Sequence, residues 1–133
     1  MSVLKVKSDE NIHAANLLID KSLFTASVHC SYYAAFQMSK YILANFCDVG
    51  YEEQDNNSKG QGSHKYVSTV MSDNLEKQNK FCMIDYNRYY KTLKFLRNKA
   101  DYSTGLIDKE EAEEALKSSR SIISLLISKY CEL

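Results

Sequence analysis

Apolar residues along this chain recur at intervals of three and four, the spacing of one face of an α-helix. From about Ser8 to Lys21 the stripe is Ile12, Ala15, Leu18 and Ile19, with Ser8 placed to cap its start. A second helix is predicted from Ser22 or Thr25 to about Cys47. It contains "SYYAAFQMSKYILANF", apolar on almost every side, as a central helix touching several neighbours requires. A third is predicted to open at Ser63, its N-cap, and to run through "HKYVSTVMSDNLEK" with Tyr66, Val67, Val70 and Met71 inward. A fourth covers roughly Ile84 to Ala100, striped by Tyr86, Tyr89, Tyr90, Leu93, Leu96 and Ala100. The fifth opens at Asp108, with Glu111 three residues on in the manner of a capping box. It continues through Ala112, Ala115, Leu116, Ser119, Ile122, Ile123, Leu126 and Tyr130. Residues 48–62, "DVGYEEQDNNSKGQG", are polar and hold three glycines, so a surface loop is expected there. No stretch alternates with period two for long enough to suggest a strand. The expected fold is all-α: an antiparallel up-and-down four-helix bundle plus one shorter helix, as a single domain over residues 1–133.

Composition sharpens this picture in a few places. The chain has no proline and only four glycines, which favours long helices joined by few loops. Hydrophobic residues make up 44% and charged residues 26%, so the chain has enough apolar surface to fold rather than stay disordered. Seventeen basic residues balance seventeen acidic ones, so any argument for a nucleic-acid partner must come from local patches. No apolar run approaches the ~20 residues that span a bilayer. The N-terminal MSVLKVKSDEN has no apolar signal core, so a cytoplasmic protein with no membrane partner is expected. Cys30, Cys47, Cys82 and Cys131 are scattered without a C-x-x-C pair, which reads as free thiols and no metal site. No cofactor is expected.

One segment resists a purely structural reading. In "LRNKADY", residues 96–102, Arg97 lies four residues after Leu93 and seven after Tyr90, on their apolar face. An arginine there is costly unless it is paired. Asp101 is one helical turn away, but with the base before the acid, the weaker orientation for such a pair. Two readings stay open: a structural staple, or a site. As a site, Arg97, Asp101 and Tyr102 form one polar cluster at the end of the fourth helix. Asp101 orients the guanidinium, some of its five donors are left for an anion, and Tyr102 adds a hydroxyl. Ser63, His64 and Lys65 open the third helix, where free N–H groups favour an anion. They form either a phosphate-binding corner near Arg97, or a cap with His64 bonded to a neighbouring helix. His13 and His29 are lone histidines with no assigned role. Between Lys77 and Lys99, seven cations face the single acid Asp85, with Tyr86, Tyr89 and Tyr90 interleaved. Single-stranded RNA binding uses such a mixture, but so does a solvated face over a tyrosine-rich core.

"SYYAAF", "SHK" and "LRNKADY", in this order, resemble the small prokaryotic HEPN-domain proteins. The likeness extends from "AANLL" near Ala14 to "EEAEEAL" near Leu116. The resemblance implies a helical bundle that forms a homodimer. It also implies metal-independent ribonuclease activity in many members, several of them toxins paired with a minimal nucleotidyltransferase antitoxin. In those enzymes an arginine is followed, after four to six residues, by a histidine. Arg97 matches the arginine. Tyr102, Ser103 and Thr104 occupy the places where the histidine belongs. A tyrosine with a pKa near about 10 is a poor base at neutral pH. The expectation is therefore a HEPN accessory or binding protein that acts with a nucleotidyltransferase partner or binds nucleotide or RNA. Its candidate catalytic residues are Arg97, Asp101 and Tyr102, and its candidate binding residues Ser63, His64, Lys65 and Arg97. The alternatives are an RNase toxin in which Tyr102, Asp101 or His64 replaces the histidine, and a purely structural interaction domain.

Overall fold

The predicted stripes become packed helices in a computed structural model, which describes residues 3–60, 62–102 and 104–131. Among these residues there are six α-helices and no strand: α1 (Val3–Asp20), α2 (Phe24–Phe46), α3 (Tyr51–Asn57), α4 (Ser63–Gln78), α5 (Lys80–Tyr102) and α6 (Lys109–Leu126). A π-helical turn, Ile127–Cys131, follows α6. The fold is all-α, as expected, and α2 is its centre. It packs against α1, α4, α5 and α6, and buries Val28, Tyr32, Ala35, Met38, Ile42 and Leu43. Met71 and Leu75 from α4, Tyr86 and Leu93 from α5, and Ile122 and Leu126 from α6 close the core around it.

Small residues let α1 and α2 approach closely. Ser8 Oγ donates to the Ala34 carbonyl at 2.8 Å, and Ser27 Oγ donates to the Ala15 carbonyl at 2.8 Å. Ser8 is thus not an N-cap. The helix begins five residues earlier, at Val3, and Ser8 is a buried hydroxyl that satisfies itself across the helix pair.

Three other expectations need correction. The stretch 48–62 is not wholly a loop, because Tyr51–Asn57 forms two turns of helix. Gln54 holds it down: its buried amide donates to the Val49 carbonyl at 2.8 Å and the Lys40 carbonyl at 3.1 Å. Glu52 and Glu53 in the first turn suit the positive end of the helix. Ser63 is the first helical residue of α4 rather than its cap. Gly62 stands at the cap position with φ 87°, a left-handed conformation that glycine adopts freely. Finally, α5 starts at Lys80 and not near Ile84. Asn79 alone separates it from α4, and its Oδ1 accepts from Phe81 N at 2.9 Å and Cys82 N at 3.3 Å. The capping box of α6 is present as read: Glu111 N donates to Asp108 Oδ1 at 2.8 Å, and Asp108 N to Glu111 Oε1 at 3.2 Å. Lys99 Nζ adds an ion pair to Glu111 at 2.6 Å, tying the end of α5 to the start of α6.

Candidate functional site

Along α2, His29, Tyr32, Tyr33, Phe36 and Lys40 fall at helical spacing and share one face. Arg97 and Asp101 from α5 and His64 from α4 meet that face. The Arg97 guanidinium carbon lies 4.7 Å from the Tyr32 ring centroid and 5.9 Å from that of Tyr33. A cation over such faces is attracted by the ring quadrupole. Arg97 Nε is 3.4 Å from Asp101 Oδ2, and Asp101 Oδ1 is 2.6 Å from His29 Nε2. One carboxylate therefore serves two partners. It neutralises the arginine's charge without taking its proton in line, since buried Nε has no hydrogen-bond acceptor. The Arg97 side chain keeps 20% of its surface exposed. Burial works against its charge, and Tyr32, Tyr33 and Asp101 more than offset this, so the group is a cation at any physiological pH.

Tyr32 joins the rest of the cluster. Its hydroxyl is 2.8 Å from Tyr90 Oη and 3.1 Å from His64 Nδ1, while Tyr90 Oη donates to the His64 carbonyl at 3.4 Å. One assignment of protons satisfies all three bonds at once. Tyr90 spends its proton on the carbonyl, Tyr32 donates to Tyr90, and His64 Nδ1–H donates to Tyr32. His64 then donates from Nδ1, and Nε2 is uncommitted by these bonds. Its ring stacks on Phe36, with centroids 4.0 Å apart and planes 20° from parallel. Burial lowers the His64 pKa, and the positive charges of Arg97 and Lys40 lower it further. Below the ordinary histidine value of about 6.5, the unfolded chain takes up a proton that the folded chain refuses, so folding loses free energy as pH falls. Urea melts from pH 7.5 down to 5.5 are expected to show this loss, and His64→Asn to shrink it.

Of the residues singled out from sequence, Arg97, Asp101 and His64 come together. Tyr102 ends α5 at the rim, 77% exposed, where it still adds to the field at Arg97. Ser63 is half-buried in the first turn of α4, and Lys65 is exposed. Sequence reasoning missed His29, Tyr32, Tyr33, Phe36 and Tyr90 as members. A signal for four of them existed: His29, Tyr32, Tyr33 and Phe36 follow the i, i+3, i+4, i+7 pattern that elsewhere marked the core. Tyr90 packs against the core, as its place on the stripe predicts, and lends its hydroxyl to the site as well.

The chain is thus a helical-bundle protein whose second, fourth and fifth helices converge on one arginine, bringing "SYYAAF", "SHK" and "LRNKADY" into contact. It belongs to the HEPN domain family, whose model matches residues 1–130. No curated protein and no solved structure matches it. Among the described residues no helix is long and apolar enough to cross a membrane, and no three His, Cys, Asp or Glu side chains are grouped to hold a metal.

Proposed function

We propose that this HEPN protein binds a phosphate of RNA or of a nucleotide at Arg97, as a cytoplasmic homodimer that works with a nucleotidyltransferase partner. The observation that carries the reading is the incomplete satisfaction of Arg97. Its nearest acid, Asp101, is shared with His29 and does not accept from Nε. A staple built for stability alone would use the guanidinium's donors within the fold. Here the side chain is braced from below by Tyr32 and open in part to solvent, where a phosphate adds charge-assisted hydrogen bonds. The groove of about 590 Å³ lined by Leu23, Phe24, His29, Leu106 and Ile107 supports the dimer, because exposed apolar side chains lie beside His29 in the cluster.

The ribonuclease reading is favoured by one specific observation, the seating of His64 on Phe36 and Tyr32, where burial and the charges of Arg97 and Lys40 disfavour its protonation. Tyr102 in place of the motif histidine is a poor base, whereas an imidazole whose pKa is lowered by burial and by Arg97 suits proton abstraction from a ribose hydroxyl. The test is a metal-free assay on labelled RNA, with binding and cleavage read from the same samples for wild type, Arg97→Ala and His64→Asn. Binding without cleavage, lost in Arg97→Ala, is the expected result, with light scattering reporting a dimer at micromolar concentration. Cleavage by the wild type that disappears in both variants would make the protein a nuclease. Unchanged binding in Arg97→Ala would remove the site altogether.

A further inference from the structure

The side of α5 that faces away from the core is not the polar surface its charges suggest. Phe81, Ile84, Arg88, Lys91, Phe95, Asn98 and Tyr102 are all exposed, and they alternate at steps of three and four over the whole helix. Phe81 and Phe95 keep 77% and 66% of their surface. Tyr86, Leu93 and Ala100, on the opposite side, pack into or against the core. The exposed set is therefore a straight seam about 31 Å long, with the periodicity that one helix presents to another.

We propose that this seam docks an acidic amphipathic helix of a different protein, with apolar residues at its own steps of three and four and glutamates or aspartates beside them. Charge selects the partner. Lys80, Arg88, Lys91 and Lys94 line the seam against one acid of the same helix, Asp85, which Arg88 already meets at 3.3 Å; of the two α6 acids beside Phe95, Glu111 is paired with Lys99, which leaves Glu114. A second copy apposing the same face would set these cations against each other. Single-stranded RNA fits less well. The aromatic rings, Phe81, Phe95 and Tyr102, stand fourteen and seven residues apart, about 21 Å and about 10 Å, and Ile84 offers no face to stack on. A groove of about 320 Å³ beside Phe95, between α5 and α6, gives an incoming side chain a place to seat, with Glu114 on its far wall. Tyr102 ends the seam at the rim of the Arg97 cluster, so a docked helix reaches the edge of that site. Docking on the seam is independent of what Arg97 binds.

The probe is a synthetic peptide of three heptads with Leu at a and d and Glu at e and g, whose acidic flanks keep it from pairing with itself. Its fluorescence anisotropy is followed against the full chain at low and high salt, beside a version carrying Lys at e and g. The expected result is one Glu peptide per chain, weakened by salt, and roughly thirtyfold weaker or worse with the double variant Phe81→Ser, Phe95→Ser. Both side chains are exposed, so the variant's thermal melt is expected to match the wild type. No binding of the Glu peptide, equal binding of the Lys peptide, or unchanged binding by the double variant would overturn the proposal. So would a double variant that keeps the peptide but loses oligouridylate binding or dimerisation. The face would then belong to RNA or to a second copy.

Discussion

Arg97→Lys is expected to abolish most anion binding while leaving the fold intact. Lysine keeps the charge but replaces a planar fork of five donors with a point charge on a flexible stem. Two parallel charge-assisted hydrogen bonds to a phosphate become one, at a cost of about 1.5–3 kcal/mol, or roughly tenfold to a hundredfold in affinity. The ring contacts with Tyr32 and Tyr33 weaken as well, by about 0.5–1 kcal/mol. Stability changes little because Arg97 Nε makes no hydrogen bond within the chain and Asp101 retains His29. Titration of labelled oligonucleotide or nucleotide, paired with a thermal melt, separates the readings. A lower melting temperature with binding preserved would identify Arg97 as a staple.

Tyr32→Ala is expected to be the most damaging single change to the site and among the worst for the fold. The side chain is 1% exposed at the meeting point of α2, α4 and α5. Removing a buried aromatic costs about 3–5 kcal/mol, a large share of the ~5–15 kcal/mol that holds a domain together. The variant also withdraws the ring beneath Arg97 and the acceptor for His64. Tyr32→Phe isolates the hydroxyl. It keeps the ring and the arginine's platform, but strands the Tyr90 oxygen and the His64 Nδ1–H, at about 1–3 kcal/mol. Phosphate binding is therefore expected to survive Tyr32→Phe and vanish with Tyr32→Ala. Urea denaturation followed by circular dichroism, with binding measured on folded protein, checks both. Equal loss of binding in the two would show that the hydroxyl network, and not the ring, positions Arg97.

Several local facts of this protein were legible in its residues, although the Asn79 cap that starts α5 was missed. A 3.6-residue period places Leu93, Leu96 and Arg97 on neighbouring faces whatever surrounds them, and residues four apart meet on any helix, so the Arg97–Asp101 pair could be foreseen. The Asp108–Glu111 capping box is likewise closed within four residues. Boundaries set by long-range bonds were not legible. Ser8 looked like a cap because its Ala34 acceptor is twenty-six residues away, and α3 looked like a loop because Gln54 is anchored to Lys40 on another helix. The site divides in the same way. Periodicity put His29, Tyr32, Tyr33 and Phe36 on one face of α2, but periodicity leaves open which helix that face will meet. Only the packing of α4 and α5 around α2 decided that His29 takes one oxygen of Asp101, that Tyr32 lies under Arg97, and that burial and nearby charge lower the His64 pKa. Exposure of the outer α5 seam was decided there too. Phe81 and Phe95 are as apolar as Leu93, and what separates them is the side of the helix that the rest of the chain covers.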